Sequence, residues 1–141
     1  MLTIRIAAAV IIRTDGKTLL VRKHGTKAFM QPGGKIEPGE TPAAALLREL
    51  IEEIGLHVSS KDLRPLGHFE APAANEPGHM VSADIFLIDI GDVEIAKSAE
   101  IEELCWISPK SPGDIVMAQL TEYHILPTYL QKRAGDQPGA E

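Results

Sequence analysis

Three glutamates in one short segment, Glu49, Glu52 and Glu53, have the residue type and the spacing to bind a metal ion. In an α-helix, where successive residues are separated by roughly 100°, they share one face about 100° wide. This crowding is unfavourable, because Glu49 and Glu53 repel each other at i, i+4 and the last helical turn disfavours anions. Carboxylate oxygens are the ligands that Mg²⁺, Mn²⁺ and Ca²⁺ prefer. The spacing therefore predicts a site for a hard divalent cation; the alternative is an acidic face exposed to solvent.

The residues around the acids predict the helix that must position them, over residues 42–54. Thr41 is a favourable N-cap, Pro42 suits the first helical position, and Gly55 suits the left-handed residue after a helix. The small residue Ala45 is expected to lie on the acidic face. The opposite face is apolar and is expected to pack against the core; it consists of Ala44, Leu47, Leu50, Ile51 and Ile54.

Other segments indicate how the rest of the chain is organised. Asp15-Gly16 predicts a hairpin turn with both residues at positive φ, and Pro38-Gly39 predicts a type II turn. A helical period over residues 115–130 is expected to break or kink at Pro127. Apolar and β-branched residues predict strands over residues 4–13, 18–22, 63–69, 81–90 and 104–107. The mixed order predicts an α+β or α/β sandwich, with one domain over residues 1–133 and a polar tail over residues 134–141.

Composition narrows the classes of partner. Fourteen Lys and Arg residues against twenty Asp and Glu residues give a net charge of −6, which disfavours a general nucleic-acid-binding face. A small polyanionic substrate is compatible with this charge only where a local cation receives it. The single cysteine cannot form an internal disulfide, and no run of 18 apolar residues could cross a membrane. We therefore expect a cytoplasmic protein with neither a membrane nor a nucleic-acid partner.

Residues 34–56, GKIEPGETPAAALLRELIEEIGL, resemble the Nudix box. The aliphatic positions of that motif are filled by Leu50 and Leu56. Its seven fixed positions are filled by Gly34, Glu40, Arg48, Glu49, Glu52, Glu53 and Gly55. The resemblance implies the Nudix fold, an α/β/α sandwich around a mixed sheet. It also implies an enzyme that hydrolyses a nucleoside diphosphate linked to another moiety and requires Mg²⁺ or Mn²⁺.

The same resemblance implies roles for individual residues. Glu52 and Glu53 would bind the metal ion, and Glu49 would bind metal or act as general base. The carbonyl group of Gly33 or Gly34 would complete the metal shell. Arg48 would orient the acids for catalysis, and Glu40 would steady the junction of loop and helix. In this family the base can also lie on a later loop, where the candidates are Glu100, Glu102 and Glu103.

The sequence does not single out one substrate. Lys35 lies in a Lys-Ile-Glu segment reminiscent of nucleoside triphosphatases of the MutT type, whereas Pro72 occupies a position where ADP-ribose-cleaving members tend to carry proline. Arg22 and Lys23 are candidates for phosphate contacts, and the alternative is that they are solubilising charges. The full set of candidate substrate contacts is Arg22, Lys23, Lys35, Asn75, Glu76 and Glu103.

Two alternatives stay open beside the hydrolase of a free nucleotide. A Nudix-fold module could bind a nucleotide or metabolite as a sensor without turnover, but the complete set of acids argues against that. Processing of RNA 5′ ends is disfavoured by the net charge and by the lack of a basic stripe. A homodimer is expected from the resemblance, because small members of this family are often dimers.

Overall fold

The computed structural model describes residues 2–135. The six strands are β1 (Leu2–Arg13), β2 (Thr18–Lys23), β3 (Gly33–Lys35), β4 (Arg64–Pro72), β5 (His79–Gly91) and β6 (Ile101–Ile107). The two α-helices are α1 (Pro42–Ile54) and α2 (Leu126–Gly135), with a π-helical segment over Leu120–Ile125 directly before α2 and a short 3₁₀ turn over Ser60–Asp62. In this part of the chain no helix is both long and apolar enough to cross a membrane.

β1 organises a mixed sheet in the order β4-β5-β1-β2-β6. Along its whole length it pairs in parallel with β5. Its other edge is divided: the far end pairs with β2 at Ile12, and residues 6–8 pair with β3. The segment before β3 fills the gap between β1 and β2, since Val21 donates a hydrogen bond to Met30 and Ala9 donates one to Pro32. β3 is therefore held beside the middle of the sheet.

Helices cover both faces of this sheet. On one face, Ala7, Ala9 and Ile11 of β1 pack in a buried cluster with residues of α1. On the other face, Ala8 and Val10 pack in a second cluster with residues of the π-helical segment and α2. The alternation of faces along β1 follows from the two-residue period of a strand. The predicted α/β/α sandwich is confirmed.

Several element boundaries differ from the prediction. β3 forms where the sequence predicts a loop, and every other strand except β2 extends by two or more residues beyond its expected limits.

The predicted helix over residues 115–130 is wrong in its first part: Val116 accepts a hydrogen bond from Phe29, and Ala118 donates one back to Phe29. Because these backbone groups pair with a neighbouring segment, helical structure starts only after Ala118. α2 then continues through Gly135, and the rest of the predicted tail, residues 136–141, lies outside the described residues.

The two predicted turns form, with one difference in backbone geometry. Gly39 has φ 86°, and Glu40 donates to the carbonyl of Glu37, as a type II turn requires. In the hairpin only Gly16 has positive φ. None of the described residues other than glycines has a positive φ. The prediction that Asp15 would also adopt positive φ is wrong. Arg13 donates a hydrogen bond to the Lys17 carbonyl, so the loop that it closes has three residues, 14–16, and ends with Gly16 in the left-handed conformation.

Candidate active site

The limits of α1 match the prediction, and its caps explain them. Thr41 Oγ1 accepts a hydrogen bond from the Ala44 amide at 3.1 Å, which satisfies one of the free donors of the first turn. Gly55 ends the helix with φ 64° and donates to the carbonyl of Ile51. The two caps fix where the helix begins and ends, and so they fix the helical turn on which each acid lies.

The buried face of α1 matches the predicted face only in part: Leu50 and Ile54 are buried as predicted. Ala44 is exposed and Ile51 is 45% exposed, although both are expected in the core. The buried residues are Ala45, Leu46, Leu50, Glu53 and Ile54. At 100° per residue, Glu53 and Leu46 lie near the centre of this face, rotated by about 100° from the expected stripe. The helix therefore presents one glutamate to the interior, against β3, at the cost of leaving an isoleucine in solvent.

Glu53 is the site's one fully buried acid, with 0% of its surface exposed. Its Oε1 accepts a hydrogen bond from the Gly33 amide at 3.2 Å. Its Oε2 lies 3.1 Å from Lys23 Nζ, within ion-pair distance, but at an angle that makes no hydrogen bond. Burial raises the pKa of Glu53, and the nearby ammonium of Lys23 opposes that rise. One carboxylate oxygen is thus buried without a hydrogen-bond donor.

Arg48 joins the loop before α1 to the acids on the helix. It binds both carboxylate oxygens of Glu40, through Nη2 at 2.8 Å and Nε at 2.9 Å. Its Nη1 donates to Glu49 Oε2 at 2.6 Å and lies 3.7 Å from Glu52 Oε2, and its Nη2 donates to the Lys35 carbonyl at 3.1 Å. These charge-assisted bonds lower the pKa of Glu40 to about 2 and raise the pKa of Arg48. The guanidinium therefore holds three carboxylates in one orientation.

Two consecutive glycines are required here for different reasons. Gly33 has φ 152°, and a Cβ at this position would overlap the backbone of Ala7 and Ala8 on the neighbouring strand. At Gly34 a Cβ would lie 2.6 Å from Glu49 Oε1, so the carboxylate occupies the space that a side chain would fill. Gly33 permits the strand pairing, and Gly34 permits the approach of Glu49.

The residues fit a hard divalent cation by their chemistry. In residues 2–135 no three acidic, histidine or cysteine side chains already form a group that could hold a metal ion, because the carboxylates of Glu49 and Glu53 are turned towards Arg48 and Lys23. The available donors are carboxylate and carbonyl oxygens, which suit Mg²⁺ or Mn²⁺. The Glu53 oxygen without a hydrogen-bond donor is the atom that a cation would satisfy most directly.

A cleft of about 310 Å³ lies on the face of the sheet that α2 covers. Gly33 and Gly34, which lie against Glu53 and Glu49, form part of its wall, but the three acids of α1 do not line it. Its floor is the apolar surface of β1 and β5, formed by Ile4, Ile6, Ala8 and Val81. The structure brings six of the predicted metal-binding and substrate-binding residues together in its walls: Lys23, Gly33, Gly34, Lys35, Asn75 and Glu76. The cleft therefore joins the predicted metal end to the loop between β4 and β5.

The other predicted substrate contacts and bases lie elsewhere. Arg22 and Glu103 face each other across β2 and β6 with 3.3 Å between Nη2 and Oε1, and neither lines the cleft. Glu102 lies on a bulge of β6 and contacts His24, and Glu100 is exposed. Among the described residues these acids form ion pairs or face solvent, and the structure does not bring them to the cleft.

The sequence analysis missed Gln31 and Thr121. Both are buried, and the Thr121 hydroxyl donates a hydrogen bond to Gln31 Oε1 at 2.7 Å. They lie at the inner end of the cleft, where a narrower pocket of about 60 Å³ continues from it. The available signal was a single amide side chain in an apolar run, directly before the Pro-Gly-Gly segment.

Known proteins resemble this chain in sequence. A curated ADP-ribose pyrophosphatase of Methanocaldococcus jannaschii is 36% identical over 102 residues, which are 67% of this chain and 59% of that protein. A curated RNA pyrophosphohydrolase of Yersinia enterocolitica is 46% identical over 57 residues, which are 40% of this chain and 31% of that protein. The chain thus spans about three fifths or less of the length of these two relatives.

Solved structures share its fold. The solution structure of the E. coli ORF135 protein superposes with a TM-score of 0.75 at 25% identity, covering 100% of this chain and 96% of that one. The NUDIX domain family matches residues 3–129, nearly the whole chain. On that match, and with the mixed sheet between two helices and the complete box on β3 and α1, this chain belongs to the Nudix family.

Proposed function

We propose that this protein is a metal-dependent pyrophosphohydrolase. It cleaves a nucleoside diphosphate linked to another moiety, such as a nucleoside triphosphate or a nucleoside diphosphate sugar, by attack of water on a phosphorus atom. The names of the two relatives support this substrate class, since both are enzymes that cleave pyrophosphate bonds. The observation that carries the proposal is the buried Glu53, whose Oε2 accepts no hydrogen bond. Its carboxylate contacts Gly33 and Lys23, and both of these residues line the cleft.

The metal ion would be held by Glu49, Glu52 and Glu53 with the carbonyl oxygen of Gly33 or Gly34. Oxygen donors favour Mg²⁺ or Mn²⁺ over softer cations. Such an ion, when bound, neutralises charge on the diphosphate and lowers the pKa of a water molecule. An acidic protein can thereby receive an acidic substrate, because the cation lies between the two.

The protein's own residues orient and receive the substrate. Arg48 fixes the direction of the Glu49 carboxylate, which serves as metal ligand or as the base that takes a proton from water. Lys23 and Lys35 extend from the cleft walls, where their ammonium groups would bind phosphate oxygens. Asn75 and Glu76, from the loop between β4 and β5, also line the cleft and would contact the group attached to the diphosphate.

A second substrate is supported by one of the relatives. The RNA pyrophosphohydrolase of Yersinia enterocolitica is 46% identical over a 57-residue stretch. The net charge of −6 favours a free nucleotide over an RNA chain, since binding to a phosphate backbone depends on basic surface. Hydrolysis of a free nucleotide is therefore the first candidate. The cytoplasmic location, the single domain over residues 1–133 and the homodimer stay predictions.

The test measures phosphate and pyrophosphate release from a panel of nucleoside triphosphates, ADP-ribose and a 5′-triphosphorylated oligoribonucleotide. Each substrate is offered with Mg²⁺, with Mn²⁺ and with excess EDTA. We expect release from at least one free nucleotide, dependent on metal, and its loss in Glu53→Gln but not in Glu94→Gln, which alters an exposed acid outside the site. Release from RNA alone would establish the second candidate, and binding without any release would establish a sensor.

A further inference from the structure

The inner end of the cleft is a small, mostly apolar pocket of about 60 Å³. The pocket adjoins the larger cleft, since six residues line both: Ile6, Ala8, Met30, Gln31, Ala74 and Val81. Apolar residues that line this pocket and not the larger cleft are Pro72, Ala118 and Leu120. Gln31 and Thr121 are the polar side chains in its lining. An apolar lining with a few fixed polar groups is typical of a site that binds a small molecule.

The hydrogen bond between Thr121 and Gln31 fixes which part of the Gln31 amide is available. Oε1 accepts the Thr121 hydroxyl, and Thr121 has 0% exposure, so this bond is held within the packed interior. Nε2 makes no hydrogen bond with any residue that the structure describes. The side chain is 6% exposed and lines the pocket. With its oxygen engaged, the amide offers the pocket two N–H donors and no acceptor.

The position of the phosphate end sets which edge of a base would meet Gln31. Lys23, Lys35 and the two glycines beside the acids line only the larger cleft. Thr121 lines only the inner pocket, and Gln31 lines both. A nucleotide with its phosphates at the acids would enter base first. The edge farthest from the sugar, which carries C6 of a purine or C4 of a pyrimidine, would then lie against the Gln31 amide.

We propose that Gln31, held by Thr121, is a specificity-determining residue that selects bases with a carbonyl oxygen at this far edge. A 6-oxopurine or 4-oxopyrimidine presents its exocyclic oxygen to Nε2, whereas a 6-aminopurine or 4-aminopyrimidine presents N–H donors at that position and accepts only through the adjacent ring nitrogen. With the exocyclic group against Nε2, the amino bases leave two buried donors facing each other, and an unpaired buried polar group discriminates strongly between similar ligands. This inference rests on the proposed function for the position of the phosphates.

The test measures binding of nucleoside 5′-monophosphates, which contain no anhydride and cannot be cleaved, by calorimetry in Mg²⁺. Inosine and adenosine monophosphates form one pair, and uridine and cytidine monophosphates form a second. In each pair the ligands differ at the far edge. We expect the wild-type protein to bind the oxo member of each pair at least about tenfold more tightly. Equal affinities, or no binding of any of the four, would overturn the inference.

Variants distinguish recognition from packing. Gln31→Glu replaces the N–H donors with a carboxylate oxygen that accepts hydrogen bonds, so the preference should reverse towards the amino members. Gln31→Met should bind both members of each pair with equal affinity. Thr121→Val should reduce the ratio of affinities between the oxo and amino members, because the amide is no longer held. A merely structural role would weaken all four ligands alike and leave the ratios unchanged. If Gln31→Glu does not fold, equal affinities in Gln31→Met carry the same decision.

The outcome is separable from that of the proposed function. Preference for the oxo members without hydrolysis of any nucleotide would overturn the pyrophosphohydrolase and leave the assignment of Gln31 intact. Hydrolysis of nucleotides with equal affinity for both members of each pair would do the reverse. The hydrolytic panel and the binding pairs therefore test two different statements about the same cleft.

Discussion

Lys23 Nζ lies 3.1 Å from Oε2 of Glu53, so the last residue of β2 places a cation on the buried acid of α1. Glu53 is fully buried, while the Lys23 side chain keeps 36% of its surface exposed. Lys23 also lines the cleft, so it lies between the buried acid and the cleft. The chain's own lysine compensates a buried carboxylate at the point where the proposed function requires a metal ion.

Replacing the buried acid should abolish turnover without damaging the fold. Glu53→Gln keeps the shape of the side chain and removes the charge that would bind a cation, so we expect kcat to fall by more than about a hundredfold. The melting temperature in EDTA should stay the same or rise, because a buried charge is removed. Steady-state kinetics and thermal unfolding measure the two effects. Near-normal kcat would show that Glu53 is not a ligand.

The adjacent glycines should separate activity from stability. A Cβ at Gly34 would displace the Glu49 carboxylate, so Gly34→Ala should lower kcat by about a hundredfold with a small change in stability. A Cβ at Gly33 would overlap the backbone of β1, so Gly33→Ala should lower the free energy of unfolding by about 2 kcal/mol or more.

Gly135→Ala is the matched control for this pair, because a Cβ at Gly135 meets no atom within 4 Å among the described residues. It should change neither quantity. Urea unfolding and kinetics on the three variants decide the matter. Loss of stability in Gly34→Ala as large as in Gly33→Ala would mean that Gly34 serves packing and not the position of Glu49.

Glu40 should contribute stability that depends on pH. Hydrogen bonds from Arg48 lower its pKa in the folded protein from 4.5 to about 2, so folding favours the ionised carboxylate. Its contribution is complete above the unfolded pKa and is lost as pH falls through the folded pKa. The difference in melting temperature between wild type and Glu40→Gln should therefore be constant from pH 7 to about pH 5.5 and shrink towards pH 2.

Thermal unfolding across this pH range provides the measurement, with the exposed Glu94→Gln as the control. In the control, the difference from wild type should stay close to zero at every pH. A difference between wild type and Glu40→Gln that grows as pH falls would contradict the ion pair with Arg48 as the source of the effect.

Local signals in the sequence were sufficient for α1 and for the family. The N-cap at Thr41, proline at the next position and glycine after the last turn each act within a few residues, so the predicted limits 42–54 match the helix. The seven fixed positions of the box are likewise a local pattern, and the family that they indicate is confirmed. Features that depend on neighbouring residues in the chain were thus accessible without coordinates.

Features that depend on contacts between distant parts of the chain were not accessible from the sequence. Periodicity assigns the most apolar face of α1 to the core, but the position of β3 beside β1 turns Glu53 inward and leaves Ile51 exposed. The bridge between Phe29 and residues 116–118 prevents helix there, although the period of that segment is helical. The bond from Thr121 to Gln31 joins residues 90 positions apart. Each of these outcomes is set by tertiary packing that overrides a local preference.

Two neighbouring cations, Lys23 and Arg22, should behave differently when replaced. The structure places Lys23 in the cleft and Arg22 on the opposite side of β2, where it pairs with Glu103. Lys23→Met should lower kcat/KM by at least about tenfold, chiefly by raising KM, because a phosphate contact is lost. Arg22→Met should leave KM within about twofold and cost about 0–1 kcal/mol of stability, since its ion pair is partly exposed.

A second measurement separates the effect of Lys23 on substrate from its effect on Glu53. In EDTA, Lys23→Met leaves the buried carboxylate without its cation, so its melting temperature should fall below that of the wild type. Addition of Mg²⁺ should raise the melting temperature more in Lys23→Met than in the wild type, because the ammonium no longer competes for Glu53. An equal rise in KM for Lys23→Met and Arg22→Met would contradict the phosphate contact. It would mean that the substrate responds to the general positive charge of this strand and not to the position of Lys23 in the cleft.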